Sequence, residues 1–116
     1  MDSTTKKIIN DAVSKCKNLE CDGTVRVISY LLSESHIKHE VYCGTVENVE
    51  KGLKIPLHFW IIIDDEIVDY KCRMWLGKDA PNGIFKQSEY PDYVYTGKIV
   101  DMKTSKLMYD ILTMGV

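Results

Sequence analysis

The stretch LHFWIIIDDEIVDYK, residues 57–71, decides how this chain is read. Leu57 to Ile63 is strand-sized, with an uninterrupted apolar run from Phe59. Asp64-Asp65-Glu66 is a polar turn, and Ile67 to Lys71 returns as a second strand, so the pair forms an antiparallel hairpin. A tight turn centred near Ile63 and Asp64 would bring His58 and Asp69 close to opposite each other. Imidazole and carboxylate would then lie side by side.

Upstream of the hairpin the period changes. Ile8, Ile9, Ala12, Val13 and Cys16 recur at helical spacing from about Thr4 to Lys17, with Ser3 or Thr4 as cap. After the polar turn Lys17-Asn18-Leu19-Glu20, a second helix starts near Cys21 and runs to about Ser35, burying Val25, Ile28, Leu31 and Leu32. From Lys38 to Val49 the pattern is strand-like, with Val41, Cys43 and Thr45 on one side and Tyr42, Gly44 and Val46 on the other. Pro56 marks the start of the next strand. Downstream, Gly77 to Pro91 is rich in loop residues, Tyr93 to Val100 reads as a strand, and Asp101 to Met114 closes as a helix capped by Asp101 or Thr104. Helices followed by an antiparallel sheet give an α+β fold, with N-terminal helices packed on a small sheet.

With 116 residues the chain is expected to be a single domain, 1–116, large enough to bury a core without staples. It is 45% hydrophobic and 28% charged, a balance that excludes disorder as its main state. A net charge of −2 gives no reason to expect nucleic-acid binding. Tyr90, Tyr93 and Tyr95 beside Lys86 and Lys98 offer aromatics among bases, but they read better as an edge strand. The basic residues Lys6, Lys7, Lys15 and Lys17 read as a solvated helix face. No stretch reaches the roughly 20 apolar residues of a membrane span, and residues 2–7 are polar, which leads to an expected cytoplasmic location, or the host cytoplasm for a viral chain.

Cys16, Cys21, Cys43 and Cys72 are expected as thiols rather than disulfides. None makes a C-x-x-C pair, so no metal site or cofactor is expected. A thiol nucleophile acts as its thiolate, beside a general base. Cys21 stands at a helix start, where partial positive charge and free backbone N–H groups gather; the same groups could hold an oxyanion. His58 would be the base and Asp69 the group that fixes its tautomer. Cys16, late in its helix, lacks that setting. His36 and His39 fall between helix and strand and are expected at the surface. Trp60, Trp75 and Met74 read as core, with a cleft lining as the alternative; Gly23 could allow close approach of a substrate.

Cys21 at a helix start, His58-Phe59-Trp60 as an H-x-W strand, and Ile67-Val68-Asp69 followed by Trp75-Leu76 resemble transglutaminase-like domains of the papain-related superfamily, in a small bacterial or phage form. The resemblance covers roughly Cys21 to Gly77. It implies a Cys21–His58–Asp69 triad and a hydrolase or acyltransferase acting on an amide or thioester of a protein, peptide or small substrate. The upstream oxyanion donor of such enzymes has no obvious counterpart, and Asn18 is a candidate by position only. The superfamily also holds inactive members, so the alternative is a binding or inhibitor protein, for example a viral factor that targets a host protein.

Overall fold

Five strands form one antiparallel sheet in the order β4-β3-β2-β1-β5, and the computed structural model that shows it describes residues 1–114. The strands are β1 (Glu40–Asn48), β2 (Leu53–Ile63), β3 (Glu66–Asp69), β4 (Gly83–Phe85) and β5 (Tyr93–Val100). Helices α1 (Ser3–Ser14) and α2 (Cys21–Glu34) precede the sheet, the single turn α3 (Arg73–Leu76) follows β3, and α4 (Lys106–Thr113) follows β5. The class is α+β, as the hairpin and the flanking helical patterns predict.

Both faces of the sheet are covered. Ile9 and Ala12 of α1 and Val25, Ile28 and Leu32 of α2 pack on Val41, Ile61, Ile63 and Val68. Trp60, Ile67, Val46 and Ile55 face the other way, against Cys72, Leu76, Ala80 and Phe85. A central strand buried on both sides needs apolar residues at every position, which explains the unbroken run from Phe59 to Ile63. Trp75 and Met74, expected in the core, are 60% and 54% exposed. In the one-turn helix α3 only Leu76 turns inward.

Several boundaries differ from the sequence expectation. Asp2 caps α1 by accepting the Thr5 N–H at 2.7 Å, in place of Ser3 or Thr4. Helix α4 begins only at Lys106, capped by Ser105, whose hydroxyl accepts the Met108 N–H at 3.1 Å. His39 is half-buried rather than on the surface. Its Nδ1 lies 2.9 Å from the Ile37 carbonyl and must donate to it, so Nε2 accepts the Ser29 hydroxyl at 2.6 Å. This pair ties α2 to the segment leading into β1.

Strand β2 carries an irregularity next to His58. Val46 pairs with Ile55 and Gly44 with His58, so Pro56 and Leu57 together face Thr45 alone. This is a β-bulge, and proline, which has no N–H to give to a ladder, suits it. The extra residue resets the alternation, leaving Ile55 and His58 both buried while Pro56 and Leu57 are exposed. Strand β3 pairs with β2 only from Ile61 to Ile63. The edge of β2 from Leu53 to Trp60 therefore has no strand beside it on that side.

Candidate active site

The hairpin register differs from the tight-turn expectation. Ile63 pairs with Glu66 and Ile61 with Val68, so the loop is Asp64-Asp65 alone and Asp69 falls level with Trp60, not His58. Asp64 takes the left-handed conformation that this short loop needs, with φ 55°. His58 and Asp69 are diagonal neighbours across the hairpin, still within reach of each other. His58 Nε2 donates to Asp69 Oδ2 at 2.8 Å, and both side chains are buried.

Asp69 is held from three sides. Oδ1 accepts the Lys71 backbone N–H at 3.0 Å, and Oδ2 also accepts the Tyr95 hydroxyl at 2.7 Å. Burial and the neighbouring Asp69 charge keep the Tyr95 phenol protonated, far above its ordinary range. Tyr95 is the site residue that sequence reasoning did not find: the pattern read it as edge strand, with an aromatic among basic residues as the alternative.

With Nε2 bonded to Asp69, Nδ1 is the ring nitrogen left to serve a thiol. It is buried and, among the described residues, has no hydrogen-bond partner. Burial works against a charge on the ring, but the hydrogen bond to Asp69 and the Asp69 charge, with a contribution from the side of Cys21, outweigh it, raising His58 from 6.5 to about 9. Cys21 bears on the imidazole from the side of α2, although no hydrogen bond joins the two.

Cys21 is the first residue of α2, and the residue before it, Glu20, makes no side-chain cap. The first-turn N–H groups are left without a capping side chain. Cys21 is half-buried and shares a small cavity with Thr24, Phe59, Val68, Asp69 and Lys71. The helix covers one sheet face and His58 belongs to the other, and β3 stops at Asp69, so no strand lies beside His58 on that edge of β2. Lys71 helps to hold the approach to α2: its amine donates to the Cys16 carbonyl at 2.9 Å.

Trp60, read as core with a cleft lining as the alternative, is buried, and neither it nor Gly23 nor Asn18 lines the cavity at Cys21. Trp60 is 1% exposed, stacked on Tyr42 and His58 and edge-on to Tyr95. Gly23 is buried against Leu19, whose Cβ would lie 3.3 Å from an added methyl, so its small size serves packing rather than a substrate. Asn18 sits in an exposed turn and, among the described residues, makes no hydrogen bond to Cys21, His58 or Asp69. The cavity at Cys21 measures about 10 Å³, room for about one water. A cavity of about 510 Å³ between α2, β1 and the end of β5 is away from this chemistry.

The other thiols have different surroundings. Burial raises Cys16, which donates to the Ala12 carbonyl at 3.2 Å. Desolvation, where helix position was the expected reason, sets it apart from a nucleophile. Cys72 is pushed up to about 12 by burial and the Asp69 charge. All four cysteines are free. Among the described residues no helix is long and apolar enough to cross a membrane. Comparison with family models, with curated proteins and with solved structures finds no match to this chain.

Proposed function

We propose that the chain is a cysteine-nucleophile hydrolase or acyltransferase of the transglutaminase-like type, acting on an amide or thioester. The observation that carries this reading is the buried His58–Asp69 pair, whose remaining ring nitrogen is unpartnered beside Cys21 at the head of α2. His58 Nδ1 takes the Cys21 thiol proton and the sulfur attacks the carbonyl carbon, forming the C–S bond while the C=O π pair moves onto oxygen to give a tetrahedral oxyanion near the first-turn N–H groups of α2. The C–N or C–S bond of the substrate then breaks, and His58 gives its Nδ1 proton to the leaving amine or thiol. Water or an amine next attacks the acyl-enzyme, passes a proton to Nδ1, and releases the acid or the new amide with Cys21 restored. Asp69 keeps Nε2 protonated throughout, so that Nδ1 is the nitrogen that exchanges protons. A working thiol suits a reducing compartment, in line with the expected cytoplasmic location.

The test is the pH dependence of alkylation at each cysteine, followed by peptide mass spectrometry. Cys21 should react fastest near neutral pH, with Cys16 and Cys72 slow because burial holds their protons. His58→Ala should slow Cys21 by about tenfold or more, the loss of one ion-pair partner. If Cys21 reacts at the same rate in both proteins, there is no thiol–imidazole pair. The water-sized cavity at Cys21 favours a second reading, a binding protein that keeps the arrangement without turnover. That reading requires a partner complex that survives Cys21→Ala.

A further inference from the structure

Tyr95 reaches Asp69 from an unexpected distance. In the sheet order, β1 and β2 separate β5 from β3. At about 4.8 Å per strand, a flat sheet would place the two at least about 14 Å apart. The 2.7 Å hydrogen bond therefore requires the sheet to curl towards the face that carries His58 and Trp60. Two glycines make room for this. Gly97 pairs with Gly44, and Gly44 pairs on its other side with His58, so a lane free of side chains crosses β5 and β1. Trp60 lies along it: a Cβ on Gly97 would come within 2.9 Å of the Trp60 ring. Tyr95 then stands edge-on against Trp60, with ring centroids 5.0 Å apart, and is also packed on Phe85 at 5.9 Å. Both rings fix the direction of the phenol towards Oδ2.

We propose that Tyr95 is a positioning residue that acts through Asp69 to set the orientation and proton affinity of His58, resting on the reading of His58 as the base for Cys21. Oδ2 accepts from both Tyr95 and His58, so the phenol takes up part of the charge that would otherwise act on the imidazole alone. The titratable groups around the pair are few. Cys21 approaches from α2, Cys72 from the segment after β3 with Arg73 acting on it, and Tyr95 from β5. The Lys71 amine is turned away to the Cys16 carbonyl.

Tyr95→Phe removes only the hydroxyl and keeps the ring contacts with Trp60 and Phe85. Its expected effect is an upward move of the His58 titration, read from the ring-proton NMR signal, by roughly half a unit to one unit. His36 and His39 should stay in place as internal references. A role in packing alone would leave His58 unmoved, and an unmoved titration overturns the proposal. A measurement on the unaltered protein guards against a variant that fails to fold: with tyrosine labelled at Cζ, the Tyr95 signal should shift with the same midpoint as His58. A Tyr95 signal that stays flat through that range also overturns it. If the Tyr95→Phe shift is absent while Cys21 alkylation still depends on His58, Tyr95 loses its role and the nucleophile reading stands. A shift present while alkylation ignores His58 keeps the Tyr95–Asp69–His58 link and removes Cys21.

Discussion

Gly44→Ala should unfold at a markedly lower urea concentration than the parent chain. A Cβ at Gly44 would overlap the Thr96 carbonyl across the β1–β5 ladder and lie 2.5 Å from the Gly97 Cα. Both are backbone atoms, so no rotamer change relieves the contact. Strand β1 would have to part from β5, its hydrogen-bonded neighbour from Val41 to Asn48. Overpacking in a rigid interior costs about 3 kcal/mol or more, a large share of the roughly 5–15 kcal/mol that holds a domain together. Parting the strands would also move Tyr95 away from Asp69, so lost stability and a disturbed His58 should appear together. Gly52→Ala is the control. Gly52 has φ 69° and open space around it, so only the backbone preference of about 1–2 kcal/mol is at stake. Urea unfolding followed by circular dichroism compares the two, and a Gly44→Ala midpoint equal to that of the parent would show that the sheet is looser than described.

Stability should fall as pH rises from about 6.5 to about 9. The folded protein keeps the His58 proton up to about pH 9, whereas the unfolded chain releases it near 6.5. Below that window both states are protonated and the contribution is complete. Within it, only the folded state holds the proton, so each step up in pH favours unfolding, and above about 9 the contribution is gone. The separation corresponds to an effect on the order of 3 kcal/mol. Cys72, raised to about 12, acts in the same direction but only above pH 9, where an unfolded thiol ionises and the buried one does not. The two windows can therefore be told apart. Asp69→Asn removes the carboxylate that raises His58 and should flatten the slope between 6.5 and 9, whatever its effect on absolute stability. An unaltered slope in that variant would mean that Asp69 does not hold the His58 proton.

The parts of the site carried by local pattern were legible in the sequence. A long apolar run, a two-carboxylate turn and a short returning strand gave the hairpin. The change to helical spacing after Glu20 placed Cys21 at the head of α2. The register was not legible, because Glu66 looks like a turn residue yet pairs with Ile63. The helix expected from Asp101 begins at Lys106, since several polar residues there could cap and it is Ser105 that does. Strand β4 has three residues, too few to show a period, and lies within a stretch of glycine and proline. Tyr95 is 26 residues from Asp69 and meets it only because the sheet curls. Gly44 and Gly97 look like ordinary strand interruptions until their mutual pairing is known.

The short length of β3 has a further consequence. By stopping at Asp69 it leaves N–H and C=O groups along β2, those around His58 included, without a strand to answer them. Such a margin invites a strand from another molecule, and the outcome can be aggregation. This stretch carries its own protection. Pro56 offers no N–H to an incoming chain, the bulge at Pro56 and Leu57 spoils a regular match, and exposed Lys54 would bring a charge into any new ladder. Relieving these guards, for instance by a branched apolar residue at position 56, would trade solubility for a smoother strand.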